Sequence, residues 1–126
     1  MAVTGLDHIN IRTADLAATR AFFRDILGLS EGWRPDFGFP GAWLYAGDTA
    51  VVHLVEVAET ARPSAGSSLD HFAFAIDDYD DAKRRLEKAG IAYRSSEPAG
   101  SDIRQLFVTE ANGVTFELNY RGARAG

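Results

Sequence analysis

His8, His53 and His71 are the only histidines in this chain of 126 residues, and an internal repeat relates each of them to another histidine or to a carboxylate. Leu6-Asp7-His8 matches Leu69-Asp70-His71 at an offset of 63 (71 − 8), and Val52-His53-Leu54 matches Phe116-Glu117-Leu118 at an offset of 64 (117 − 53). The repeat yields two ligand pairs, His8 with His53 and His71 with Glu117. Three imidazoles and one carboxylate suit a divalent metal ion. Singly, each histidine reads as a half-buried strand side chain and Glu117 as a salt-bridged surface group. Jointly they favour metal ligation, because one ion accounts for four positions that are otherwise unrelated.

The elements that must hold these residues follow from periodicity. Leu6 to Arg12 alternates Leu6, His8, Asn10 and Arg12 on one face with Asp7, Ile9 and Ile11 on the other, the pattern of a strand with one apolar side. A helix follows, capped by Thr13 or Asp15, striped by Leu16, Phe23, Ile26 and Leu27, and stopped at Gly28. Strands are predicted near residues 29–34, 42–46 and 50–57. After a linker over 58–68, rich in Ala, Ser, Pro and Gly, the order repeats: a strand over 71–76, a helix over 78–89 closed by Gly90, and strands near 91–95, 103–109 and 114–120. Asn112-Gly113 marks a tight turn between the last two strands. The fold class is α+β, two tandem βαβββ modules (about 4–57 and 69–120) forming a curved mixed sheet around a metal-binding cavity, in one domain over 1–126. Residues 121–126 read as a mobile tail.

Alternation tests the ligand set independently. Ile9 and Ile11 accompany His8, Val52 and Leu54 flank His53, Phe72 and Phe74 follow His71, and Phe116 and Leu118 flank Glu117. Each ligand is thus a polar residue opposite an apolar row, and the four line one concave surface. A bulge in the fourth strand would instead turn Glu56 toward the site in place of His53.

Composition removes several classes of function. With 13 basic and 18 acidic residues the net charge is −5, which argues against a nucleic-acid partner. Lys83, Arg84, Arg85 and Lys88 follow Asp77, Asp78, Asp80 and Asp81 and read as a solvated, ion-paired helix face. The absence of cysteine excludes disulfides and thiolate chemistry. No signal-peptide pattern or membrane-spanning apolar run is present, so the expectation is a cytoplasmic protein with no membrane partner.

The segments LDHINIRTADLAATRAFFRDILGL (6–29), AVVHLVE (50–56), LDHFAFAIDD (69–78) and QLFVTEANGVTFELNY (105–120) together resemble the vicinal-oxygen-chelate superfamily of glyoxalases, bleomycin-resistance proteins and extradiol dioxygenases. That resemblance implies metal ligands from the first and fourth strands of each module, here His8, His53, His71 and Glu117. Glyoxalase I usually carries a carboxylate at the position of His53, so the ligand set does not select one activity. The resemblance also implies a homodimer, in which strands of one chain or of two complete the site.

Four protein ligands on an octahedral ion leave two adjacent positions for a small substrate that chelates through neighbouring oxygens. The ion is expected to be Fe, Mn, Ni, Co or Zn. A closed tetrahedral structural site is disfavoured because the ligands line a concave pocket. The expected function is a metal-dependent, glyoxalase-like lyase or isomerase, with Glu117 leaving the metal to act as the catalytic base. Two alternatives stand beside it. One is a ring-cleaving dioxygenase using His8, His71 and Glu117, and the other a non-catalytic drug-binding protein. Arg12 shares the face of His8 and suits a substrate carboxylate or a rim position, while Trp33, Trp43, Tyr45, Phe37, Phe39 and Phe107 read as core or as an apolar substrate wall.

Overall fold

A computed structural model describes residues 1–122, of which 1–61 form one compact unit and 62 onward a second. Of the expected tail, residues 123–126 lie outside the described residues. In the first unit, β1 (Ile9–Thr13) leads to α1 (Leu16–Ala21), which runs on as a π-helical turn (Phe22–Ile26), and then to β2 (Ser30–Gly32), β3 (Gly41–Ala46) and β4 (Thr49–Glu56). In the second, β5 (His71–Ala75) leads to α2 (Tyr79–Lys88), β6 (Arg94–Ser96), β7 (Ile103–Thr109) and β8 (Thr115–Arg121). The fold is α+β, two tandem βαβββ modules, each with its own four-stranded mixed sheet. The orders β1-β4-β3-β2 and β5-β8-β7-β6 are the same pattern twice.

In each sheet the first strand pairs in parallel with the last, and the remaining pairs are antiparallel. Parallel neighbours need a crossover, and the helix with the two intervening strands supplies it. Asp15 caps α1, its Oδ1 accepting from the Ala18 N–H at 3.0 Å, and Asp78 caps α2 by accepting from Asp81 N–H at 3.0 Å. Thr13, the other expected cap, is buried and shares a 2.8 Å hydrogen bond with the Thr19 hydroxyl. The π-helical turn gives the Leu27 N–H to the Phe22 carbonyl and buries Phe23 completely, and Gly28, at φ 75°, ends it.

The cores follow the alternation. Ile11, Phe23, Ala42, Leu44, Val52 and Leu54 are buried in the first unit, and Tyr79, Leu86, Leu106, Val108, Phe116 and Leu118 in the second. The acidic and basic run on α2 is an ion-paired surface as expected, Asp81 binding Arg84 at 3.1 Å and Arg85 at 2.8 Å.

Three local features differ from the sequence expectation. The β2 and β6 strands are only three residues long. The Asn112-Gly113 turn is wider than a two-residue hairpin. The buried Glu110 carboxylate fills it by accepting from the Asn112 and Val114 N–H groups. The 62–68 part of the linker packs onto this hairpin: the Ser64 N–H donates to the Gly113 carbonyl at 3.0 Å, and the Ser64 hydroxyl oxygen accepts from the Thr115 N–H at 2.8 Å.

Phe23 and Phe116 have no exposed surface, so Phe23→Ala and Phe116→Ala are each expected to lower unfolding free energy by about 3–5 kcal/mol, measured by urea denaturation. Lys88→Ala, at an exposed position on α2, is expected to change it by less than about 0.5 kcal/mol.

Candidate metal centre

The first unit brings His8 and His53 together. His53 sits mid-β4, paired in register with Asn10 of β1 and Trp43 of β3, and His8 lies just ahead of β1, two residues before Asn10. The His8 and His53 rings stack at 3.7 Å with 9° between their planes, and Trp43 stacks on the other side of His53 at 4.0 Å and 13°. Burial, and after it the neighbouring His8, holds the His53 imidazole below the usual histidine range. It is therefore neutral at physiological pH. Asp7, Trp43, Tyr45, Asp48, Thr49, Ala50 and His53 line an open cavity of about 280 Å³.

The stack constrains ligation. A metal ion lies close to the plane of each imidazole that binds it, and two cofacial planes separated by a ring thickness share no such point. One ring must turn before His8 and His53 can bind the same ion. The alternative in which a bulge exchanges Glu56 for His53 has no counterpart: β4 stays in register with β1 from Val52 to Glu56, and the register shift against β3, at Leu44/Tyr45, leaves the extra residue Val51 in β4 ahead of His53.

The second unit brings His71 and Glu117 together. Glu117 has a side chain only 11% exposed, between the buried Phe116 and Leu118, and its Oε2 accepts from His71 Nε2–H at 2.7 Å. Its Oε1 accepts from Gln105 Nε2–H at 2.6 Å, so both carboxylate oxygens are fixed. The other ring nitrogen, His71 Nδ1–H, donates to Asp70 Oδ2 at 2.7 Å, and the second oxygen of Asp70 accepts from the Gly66 N–H at 2.7 Å. Two carboxylates, which only accept, hold protons on both ring nitrogens. The Asp70 hydrogen bond, with Glu117 adding to it, raises His71 above the usual histidine range.

Asp7 plays the part of Asp70 in the first unit: its Oδ1 accepts from His8 Nδ1–H at 2.6 Å. Alternation placed Asp7 on the opposite face from His8, but β1 begins only at Ile9, so the strand rule does not govern residues 7 and 8. The repeated Leu-Asp-His triplet was the available signal. A carboxylate on Nδ1 fixes the tautomer and presents Nε2, the arrangement seen behind metal-binding histidines. Gln105 left no mark in the sequence, because it contacts Glu117 from the neighbouring strand. Among the described residues no group of three or more His, Cys, Asp or Glu could hold an ion. The four expected ligands stand as two pairs, one in each unit.

A metal ion at His71 would have to displace the proton that Nε2 gives to Glu117. Apparent affinity for Zn²⁺ or Mn²⁺ is therefore expected to rise with pH and to level off only above the usual histidine range. Asp70→Asn removes the main cause of the raised value, so the rise should move to lower pH while the plateau affinity falls by about 10–100-fold, read by competition with a chromogenic chelator. In metal-free protein the sign is opposite. A group whose folded pKa is raised stabilises at low pH, and that increment is lost as pH rises through the folded value.

Comparison with known proteins identifies the family and the fold. The model of the glyoxalase/bleomycin resistance protein/dioxygenase superfamily matches residues 5–118. The chain is 31% identical over 117 residues to the glutathione transferase FosA of Serratia marcescens, covering 90% of this chain and 79% of that protein. Among solved structures, a glyoxylase/bleomycin resistance protein/dioxygenase domain from Frankia sp. EAN1pec superposes with a TM-score of 0.78 at 20% identity, over 96% of this chain and all of that one (100%). The fosfomycin resistance protein FosX from Listeria monocytogenes gives 0.75 at 18% identity, over 96% of each chain. The chain belongs to the glyoxalase/bleomycin resistance protein/dioxygenase superfamily.

Proposed function

We propose that the protein is a metal-dependent enzyme that holds one divalent ion through His8, His71 and Glu117 and acts as a lyase or isomerase on a small substrate chelating through adjacent oxygens. The observation that carries this is the paired support of the histidines, each with an aspartate on Nδ1, with Nε2 of His71 directed at Glu117. A surface or core histidine needs no such support twice at repeat-related positions. When bound, the ion supplies Lewis-acid polarisation of the two oxygens and stabilises the anion left when an adjacent proton departs.

The chain's own residues divide the remaining work. Gln105 and His71 hold both oxygens of Glu117, which suits a fixed ligand better than a carboxylate that leaves the ion to become a base. His53 joins as a fourth ligand only if its ring leaves the stack. Within the stack it is a neutral imidazole beside the cavity, and it accepts the substrate proton. The two ligand pairs come from one chain or from the two chains of a homodimer. A second reading, addition of a thiol to an electrophilic substrate, is supported by the 31% identity to a glutathione transferase. It uses the same ion to polarise the oxygen on the carbon attacked.

Elemental analysis of protein purified without chelator is expected to give about one ion per chain, lost in both His8→Ala and Glu117→Ala. Mixing the two variants after a dissociation step should restore metal to some dimers if ligands come from two chains, and to none if from one. Metal-loaded protein in deuterated water should place deuterium beside the carbonyl of a glutathione–methylglyoxal hemithioacetal under the lyase or isomerase reading. Loss of glutathione thiol in the presence of fosfomycin supports the thiol-addition reading. Absence of metal in the unmodified protein sinks both.

A further inference from the structure

The loop from Trp33 to Pro40, between β2 and β3, carries more apolar surface than its position explains. Trp33 is 72% exposed, Phe37 49% and Phe39 46%. Three large rings on one short surface loop have an unfavourable solvation cost, and such patches mark contact sites. The Arg34 guanidinium lies 4.9 Å from the Phe37 centroid and 5.1 Å from that of Phe39, and the two rings stack at 5.6 Å. Two other arginines of this unit have carboxylate partners, Arg20 with Glu31 at 2.7 Å and Arg24 with Asp25 at 2.9 Å. Arg34 pairs with no carboxylate among the described residues, although the chain has more acidic residues than basic ones. Asp36, the one carboxylate within the loop, accepts from the Gly38 N–H at 3.0 Å.

The loop is also held in place. Pro35 and Pro40 limit its freedom, and the Pro40 carbonyl accepts from the Glu56 N–H at 3.1 Å. The guanidinium packs so closely over Gly41 that a Cβ there would collide with it and with the Leu54 carbonyl. A cation fixed against strand backbone, with donors left over and rings beside it, is prepared for a ligand rather than merely solvated. The patch continues into the ligand face: Trp33 meets Trp43 edge-on at 5.9 Å, and Trp43 stacks on His53.

We propose that this loop selects the substrate, taking a flat aromatic group on Trp33, Phe37 and Phe39 and an anionic substituent on Arg34. The proposal rests on the metal-enzyme reading in one respect, that the same substrate reaches the ion through its adjacent oxygens. It makes Arg34 and Trp33 specificity-determining residues and the substrate an aromatic or similarly conjugated anion.

Tryptophan emission of the metal-loaded protein, titrated with benzoate, acetate and benzyl alcohol, tests this. Benzoate is expected to bind at least about tenfold more tightly than acetate or benzyl alcohol, since only it uses both ring and charge. Arg34→Gln should weaken benzoate by about tenfold and leave benzyl alcohol unchanged. Trp33→Phe should abolish most of the emission change, and both variants should keep the metal content and thermal midpoint of the parent. Acetate binding as tightly as benzoate, or Arg34→Gln without effect on benzoate, overturns the proposal. So does an emission spectrum that shifts with protein concentration alone, which would mean that a second copy of the chain covers the loop. The benzoate preference is also measured on chelator-treated protein. Preference without metal uptake retains the loop proposal and rejects the metal reading, and metal uptake without preference does the reverse.

Discussion

The parallel pairing of the first strand of each module with its last is the contact on which the site depends. It places residues far apart in sequence side by side: Asn10 against His53, and Ala73 against Glu117. A shift of one residue in either pairing would turn the ligand-bearing face inward and expose Val52 and Leu54, or Phe116 and Leu118. The buried rows therefore set the register, and the register sets the chemistry. Packing of Phe23 over the first sheet and the Glu110-filled turn at the end of the second both protect that alignment.

The repeat and the strand alternation made most of this legible. His8, His53, His71 and Glu117 were identifiable because the sequence states the same unit twice, and the cores matched the expected apolar rows because alternation is a local property of each strand. Elements governed by tertiary contact were harder to read. The short β2 and β6 strands contain too few residues to show a period, and a π-helical turn has the same composition as an α-helical one. Asp7 lies ahead of β1, where strand alternation does not set the direction of a side chain. Gln105 and the His8–His53–Trp43 stack arise only from the juxtaposition of neighbouring strands.

The two modules have diverged in electrostatics while keeping one topology. The first presents a pair of stacked imidazoles, one of them neutral through burial and the approach of a like charge. The second presents an imidazole between two carboxylates, which favours its protonated form. Corresponding strand positions thus carry a neutral imidazole in one copy and an imidazole–carboxylate pair in the other.

The proton shared by His71 and Glu117 has a consequence for the life of the protein. In small zinc-dependent domains, bare ligands repel one another and the chain unfolds without its ion. Here one oxygen of Glu117 already accepts from the His71 ring and the other from Gln105. The proton acts as a placeholder for the cation. With an ion bound as proposed, one proton would leave as one cation arrives, and no strand would have to refold.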